Sequence, residues 1–538
     1  MLVWLITSWM FLAADLFPIH EKVWLLESAG DWKAAHGSSS GFEICEDDLI
    51  LKGTNRGEWI SKWHAWKEPV SSLELKVNAA IDLFDNKARE VLITGAERPF
   101  TNADGQPHDW YGRCMISILG PNRWIMAVRS GVNHIDWDGR DAIHIMTSSD
   151  EGRTWNGLDR WFDGTSVDGM PFEDGFTHSE PGLYRMPNGE LVLQFWRSSY
   201  HTGTRQLRST DNGKTWTSDT DRVRVEGVIG AEDDRVIGTE DWFIDPEYPN
   251  DVYMAFQYFH YQSQSGTLLA RTRDDGRSYQ FLSWIGPLRN DRDENSGANF
   301  EPAIEYVGNR TIIAILRHAS GNRYTWQAVS TDMGQSFSDP VDISDQVDAG
   351  VTNGLWQRVR LYKDTNPIFQ YGNQWKDYAD GRGRLWGFGL HSNGGGYTRK
   401  PVVYWSDDNG ITWEGPELLH GNLYPGTDTG YGDLKRRVDN TYVGVAYYAT
   451  RDSKVADVEQ YTFGGMRLRV RVDLDQDHDA QADEHSPWFE VYDGSCHFPV
   501  RFSGHGRLRF ELQYRVNNQV STPKITSLQI RPVILDEE

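Results

Sequence analysis

Six polar residues follow one another along the chain in an order that could handle an anionic ligand: Arg113, Asp136, Glu301, Arg317, Arg399 and Tyr431. A guanidinium offers a planar fork of donors that meets a carboxylate through two hydrogen bonds, a match an ammonium does not reproduce. Carboxylates and a phenol can pass a proton between them. Taken singly, each arginine is as readily a surface ion pair, Asp136 a loop cap, and Tyr431 a core ring. Their order and placement recommend them as a set. A second set, His134, His178, Tyr200, His201 and His318, stands near the same stretches, and each member is individually read as structural or solvent-facing.

The placement comes from a repeat. Ser148–Trp155 reads SSDEGRTW and Ser209–Trp216 reads STDNGKTW; Thr272–Tyr279 (TRDDGRSY), Ser330–Phe337 (STDMGQSF) and Ser406–Trp413 (SDDNGITW) follow. Their shared aspartates at 150, 211, 274, 332 and 408 are 61, 63, 58 and 76 apart, a period that suits one four-stranded blade with its loops. In such an aspartate-box turn the carboxylate accepts hydrogen bonds from its own turn, the Gly takes a positive φ, and the closing aromatic tucks between blades. Strand-like runs such as Glu190–Trp196 and Thr311–Leu316 precede the boxes, and a 3.6-residue period is almost absent. The reading is an all-β propeller over residues 99–466. Five boxes plus the boxless segment around Tyr431 suggest six blades, with a seventh open to the flanks.

The flanks carry no box. Residues 23–98 and 467–538 hold strand candidates such as Leu73–Val77, Met466–Val472, Arg507–Tyr514 and Ile525–Ile530, read as β-rich segments that could pack together as a small sandwich. Residues 1–22 contain an apolar run followed by Ala13 and Ala14, which reads as a signal-peptide core, although without a positive start; the expectation is a secreted or periplasmic protein. The acidic stretch Asp473–Asp483 is read as a solvated surface loop, with a calcium loop as the sharper alternative. Net charge is −24, which argues against nucleic acid or an anionic membrane as partner, and no later run is apolar enough to span a bilayer. An acidic envelope does not exclude an anionic ligand held by clustered arginines. Three cysteines exclude a disulfide framework and a cysteine-rich zinc site; one bridge joining Cys45 and Cys496 is conceivable, and Cys114 reads as a buried thiol. The 23 Trp suit either sugar-stacking surfaces or the wedges between sheets.

On these residues the chain resembles the exo-sialidase (neuraminidase) family over the propeller region and not over the flanks. Tyr111-Gly112-Arg113-Cys114-Met115 stands where the family has F-R-I-P, keeping the Arg but neither the Phe nor the Pro. Arg129 is followed by a loop whose Asp136 lies 12 before Ser148, with Asp138 and Asp141 close by. Glu301-Pro302 followed by Arg317 matches the family's Glu-Pro strand and second arginine; Glu180-Pro181 with Arg197 is a similar pair, and chain order favours the later one. Arg399 closes a match to the third arginine strand, and Thr429–Leu434 (TGYGDL) stands where the family has Y-S-x-L.

The resemblance implies a six-bladed sialidase-like propeller in which Arg113, Arg317 and Arg399 clamp a sugar carboxylate. It further implies Tyr431 as nucleophile, Glu301 as its base and Asp136 as acid and then base, with retention and without metal or cofactor. A phenol avoids the like-charge repulsion that a carboxylate nucleophile would meet at such an anomeric centre. The implied partner is a sialoglycoconjugate or acidic polysaccharide. Two rivals remain. One is a polysaccharide lyase or hydrolase acting on uronic-acid or rhamnose polymers, which the histidines and the altered motifs keep open. The other is a non-catalytic glycan-binding propeller.

Overall fold

Runs of β-branched and aromatic residues between Gly- and Asp-rich turns fold here as antiparallel sheets almost throughout. The computed structural model describes the strands and tight turns between residues 24 and 532. Outside it lie residues 1–23 and 533–538 and several connecting segments, among them 133–140, 172–177, 198–203, 229–233, 238–240, 291–298, 319–324, 348–353, 364–383, 394–398 and 421–426. The apolar run at residues 1–22 therefore falls outside the described residues. Among those described, no helix is long and apolar enough to cross a membrane.

The chain forms two compact units. One comprises residues 87–438 and 442–462; the other joins the two ends of the chain, up to residue 86 and from residue 463, with 439–441. The first unit is a six-bladed sialidase-like β-propeller. Blades one, two, four and five each run in sequence order from their first strand outward: Trp110–Gly120, His178–Arg185, Asn299–Gly308 and Gly354–Lys363 begin them. Blade three starts with Asp234–Ile237 and Trp242–Ile244, both paired with Val252–His260. Blade six is closed by both ends of the unit: Thr427–Arg436, Thr441–Thr450 and Ala456–Gly464 are completed by Ala88–Ile93, a strand from upstream of blade one.

The core is divided among the wedges between blades. Ile125, Ile143, Leu193, Phe195, Leu207 and Trp216 fill the wedge between blades one and two, and comparable apolar clusters lie between the following pairs. All five recurrent turns join the third strand of a blade to its fourth. In the second, Asp211 accepts from the Thr215 amide at 2.9 Å and its hydroxyl at 2.6 Å, while the Gly213 amide donates to Ser209 Oγ at 2.8 Å; the other four repeat this pattern. The Gly takes a positive φ as expected, but so does the residue before it: Glu151, Asn212, Asp275, Met333 and Asn409 have φ between 57° and 62°. Gly213 has a second reason to lack a side chain, since a Cβ would lie 2.3 Å from Ile125 of the previous blade. The closing aromatics also reach backward: Trp155 Nε1 donates to Gln460 of blade six at 3.3 Å, and Trp413 Nε1 to Gln327 of blade four at 2.9 Å.

The second unit holds two antiparallel sheets. In spatial order one runs Phe42–Cys45, Asp48–Leu51, Lys524–Pro532, Leu73–Ala80, Gly494–Val500; the other is centred on Arg56–Ser61, Gly506–Val516 and Met466–Asp475. Alternate residues are buried, as in Leu73, Leu75 and Val77 or Leu468, Val470 and Val472, so each sheet has one apolar face, as a sandwich requires. Cys45 and Cys496 lie on the two edge strands of one sheet, with three strands between them. At 4.7–4.9 Å per strand that separation is about 19 Å, whereas a disulfide needs Cα atoms within about 7 Å. The conceivable bridge is therefore excluded. Cys114 is fully buried, and burial pushes its thiol well above the usual range.

Burial alone would raise the turn carboxyls, but hydrogen bonds from each turn's hydroxyl and amides outweigh it: Asp150, Asp274, Asp332 and Asp408 are held below the usual range, and Asp211 is brought down to about 2. A carboxyl lowered on folding adds stability above its unfolded value, and that contribution is lost as the pH falls through the folded one. Because Asp211 is largely solvent-screened, Asp211→Asn should cost only about 1 kcal/mol at pH 7. In thermal melts this cost should shrink between pH 4 and pH 2; an unchanged difference at both pH values would contradict the linkage.

Candidate active site

The residues that come together do so because their strands break register at one level. In blade one Gly112 faces Arg129 and Met115 faces Ala127, so three steps on the first strand meet two on the second. The same extra residue occurs between Phe300 and Ala303 in blade four and between Gly430 and Asp433 in blade six. It occurs again between Ser179 and Gly182 in blade two and between Gln357 and Arg360 in blade five. In blade three Ile237 faces Gln257 and Trp242 faces Met254, so five steps on the first side meet three on the second strand. These are β-bulges, which re-aim a side chain out of the pleat. The extra residues Arg113, Glu301 and Tyr431 have φ of 53°, 49° and 46°, a left-handed conformation that costs an ordinary L-residue about 1–2 kcal/mol.

At these bulges Tyr431 Oη donates to Glu301 Oε1 at 2.8 Å. Arg317 Nη1 donates to both Glu301 oxygens at 2.9 Å. The Arg113 guanidinium lies over the Tyr431 ring, 3.9 Å from its centroid. Glu301 and Arg317 side chains are 10% and 19% exposed, so the group is sheltered but reachable. Tyr431 packs against Trp110, Tyr447, Ala449 and Ala456. Gly432 is required next to it, because a Cβ there would sit 2.0 Å from the Val445 carbonyl oxygen. Gly112 is required for a similar reason, since its Cβ would meet the Trp110 ring at 2.6 Å. Local crowding thus accounts for the glycines that stand in place of the motif's Phe and Ser.

Four of the six singled-out residues, Arg113, Glu301, Arg317 and Tyr431, are brought together. Asp136, like Asp138, lies outside the described residues. Asp141 is described, and its chemistry is already committed: it accepts from Arg129 Nε at 2.5 Å with both side chains at most 2% exposed. This pair lies against Trp110, with the Arg129 guanidinium 4.9 Å from the ring. Arg399 opens the third strand of blade five, opposite Ser392, rather than standing on a first strand. The bulge position of blade five belongs to Arg358, a residue that sequence reasoning missed. From bulge residue to box aspartate is 31 positions in blades two and four (180 to 211, 301 to 332) but 50 in blade five (358 to 408), because residues 364–383 intervene. A ruler laid back from the box therefore falls short. In blade two Trp196 faces Ser179, which leaves Arg197 one position out of step with Arg317. Of the alternative set, His178 faces Arg197 and His318 faces Asn299, whereas His134, Tyr200 and His201 fall outside the described residues.

At neighbouring first-strand positions the propeller axis is occupied by charge. Arg360 Nη1 donates to Asp241 at 3.2 Å and its Nη2 touches Met115 Sδ at 3.0 Å, joining blades five, three and one. Asp433 accepts from the Ile116 amide at 2.8 Å and from Lys435 Nζ at 2.7 Å, joining blade six to blade one.

The acidic stretch of the second unit forms a tight turn in which Asp475, Asp477 and Asp483 carboxylates approach within 4.8 Å. The buried one, Asp475, already accepts from Arg507 at 2.5 Å and from the His478 and Ala480 amides at 2.7 and 3.0 Å. The Asp477 and Asp483 carboxylates are exposed.

No protein-family model and no curated protein matches this chain. Solved structures do. A protein of unknown function from Dyadobacter fermentans aligns over 74% of this chain and 98% of its own at 13% identity, with a TM-score of 0.46. Trypanosoma rangeli sialidase aligns over 84% and 97% at 11% identity, with a TM-score of 0.45. An α-L-arabinanase from Penicillium chrysogenum aligns over 54% and 93% at 14% identity, with a TM-score of 0.37.

Burial pushes the Asp241 carboxyl up to about 6 against the opposing pull of Arg360. A carboxyl raised on folding adds stability that is complete below its ordinary value of 3.8 and is lost as the pH rises through about 6. Asp241→Asn should therefore gain thermal stability relative to the wild type as the pH is raised from 4 to 7. A constant difference in melting temperature across that range would contradict this.

Proposed function

We propose that the protein is an exo-acting glycoside hydrolase that releases a terminal carboxylate-bearing sugar, a sialic acid, with retention of configuration. The observation that carries the reading is the Tyr431 hydroxyl donating to Glu301 at 2.8 Å while arginines stand on both partners. A surface tyrosine or a core ring has no need of a strained backbone, a half-buried carboxylate partner and a guanidinium stacked on its face. In the first step Tyr431 Oη attacks the anomeric carbon and passes its proton to Glu301 as the glycosidic C–O bond breaks. Asp136 protonates the departing oxygen. In the second step Asp136 takes a proton from water, which displaces the tyrosine, and Glu301 returns the proton to the phenoxide. Two inversions at one carbon give net retention.

Arg113 and Arg317 form two arms of the carboxylate clamp. We assign the third arm to Arg358, because its register position is that of Arg113, Glu301 and Tyr431. Arg399, the residue the sequence motif favoured, serves as the comparison. With a fluorogenic sialoside, Arg358→Ala should lower kcat/KM by about 100-fold or more, and Arg399→Ala by less than about tenfold; the reverse order restores Arg399 as the third arm. Tyr431→Phe should lower kcat by on the order of 10³-fold or more with KM little changed. An unsaturated uronate product from an acidic polysaccharide, without release of sialic acid, would overturn the hydrolase reading.

A further inference from the structure

We infer that Asp433 is a positioning residue: its carboxylate clips blade six to blade one just beneath the site and so sets where Tyr431 meets Arg113. Its part in the reaction rests on the roles proposed above for those two residues. The first strands of the two blades, Thr427–Arg436 and Trp110–Gly120, each pair with the second strand of their own blade, and among the described residues no ladder pair joins them to one another. The wedge between the blades is apolar and includes Cys114, Ile116, Val443 and Val445. Apolar packing keeps the strands close but has no direction, so it does not by itself fix how far one slides along the other. Asp433 supplies the direction. Its Oδ2 accepts from the Ile116 amide at 2.8 Å, and its Oδ1 accepts from the amide of its own neighbour, Leu434, at 2.8 Å. Lys435 Nζ donates to Oδ1 at 2.7 Å and balances the charge. Asp433 and Ile116 are each only 2% exposed, so little water is at hand to replace a lost acceptor.

Register places this clip next to the chemistry. Asp433 follows Tyr431 by two residues and Ile116 follows Arg113 by three, which is about 7–10 Å of extended strand. The Arg113 guanidinium stands 3.9 Å from the Tyr431 ring centroid across the same gap between blades. A slip of one strand against the other at Asp433 is therefore carried to that pair. The bonding pattern recurs between blades four and five. There Glu305 Oε2 accepts from the Lys363 amide at 3.2 Å and Oε1 from its own neighbour, the Tyr306 amide, at 3.0 Å. Glu305 follows Glu301 by four residues, and Lys363 follows Arg358 by five. In both cases one carboxylate oxygen takes the next amide of its own strand and the other takes a first-strand amide of the following blade. The four bulge residues given roles above, Tyr431 with Arg113 and Glu301 with Arg358, thus lie on the two clipped pairs of strands. An Asn at position 433 would have one acceptor oxygen and a donating NH2, so it could not serve both amides.

The test uses the full-length protein carrying arginine labelled with ¹³C and ¹⁵N, with the Arg113 guanidinium resonances assigned by their loss in Arg113→Lys. Tyr431→Leu removes the ring and so calibrates the shielding that the ring imposes on Arg113. Asp433→Asn should move the Arg113 resonances in the same direction as Tyr431→Leu does. With a fluorogenic sialoside it should lower kcat by about tenfold or more, the scale of a misplaced reacting group. Asp211→Asn, which loses hydrogen bonds at the rim, controls for a general loss of stability and should leave both the Arg113 resonances and kcat as in the wild type. Replacing the Ile116 amide by an ester deletes the donor hydrogen and keeps the side chain. It should reproduce the Asp433→Asn result, and it carries the test if the Asn variant does not fold. Arg113 resonances that stay in place in the folded variants would overturn the inference, and so would moved resonances with a wild-type kcat. If the wild type turns over no sialoside, the proposed substrate fails, whereas the clip stands or falls by the Arg113 resonances.

Discussion

The carboxylate of Glu301 is the point on which the site depends. It is one group on blade four, yet it receives the hydroxyl of Tyr431 from blade six and the guanidinium of Arg317 from its own blade. With its side chain only 10% exposed, these hydrogen bonds meet little competition from water, and losing any partner would leave a sheltered charge uncompensated. The bond between Tyr431 and Glu301 spans strands that are 130 residues apart in sequence and belong to non-adjacent blades. It therefore exists only if the whole propeller closes.

Closure is secured from two directions. At the rim the five aspartate turns tie each outer strand to its blade, and their aromatics anchor to the blade before. At the axis, Asp433, Arg360 and Asp241 bridge first strands of different blades through hydrogen bonds to amides and charged groups. Between them lie the apolar wedges, where close packing allows little adjustment. That rigidity makes the left-handed backbone at Arg113, Glu301 and Tyr431 tolerable. Intact ladder pairing on both sides of each bulge holds the strained residue in place.

Arg129 and Arg317 show how strongly partners decide the meaning of a position. Both face the residue just before a bulge, Gly112 in one case and Phe300 in the other. Arg129 is fully buried against Asp141 and stacked on Trp110, where it supports the wall behind Tyr431. Arg317 is partly exposed and bonded to Glu301, within reach of a ligand. The same side chain at the same register is closed onto Asp141 in one blade and pairs with the partly exposed Glu301 in another.

The fold was legible in the chain because its signals are local. A serine, an aspartate, a glycine and an aromatic within eight residues close their own turn, and their repetition counts blades without knowledge of what packs where. Glu301, Arg317, Tyr431 and Arg113 were legible for a related reason: in blades one and four few residues separate the first strand from the next turn, and Tyr431 sits in a short glycine-flanked motif. The bulge position of Arg358 is not legible because residues 364–383 stretch that distance, and the pairing of Asp141 with Arg129 depends on which residues the folded strands bring together. The bulges, the left-handed φ at three side chains and the exclusion of a bridge between Cys45 and Cys496 were all decided by tertiary structure. Each depends on which strand lies opposite which, and that register is set by closing the sheets rather than by any residue's own preference.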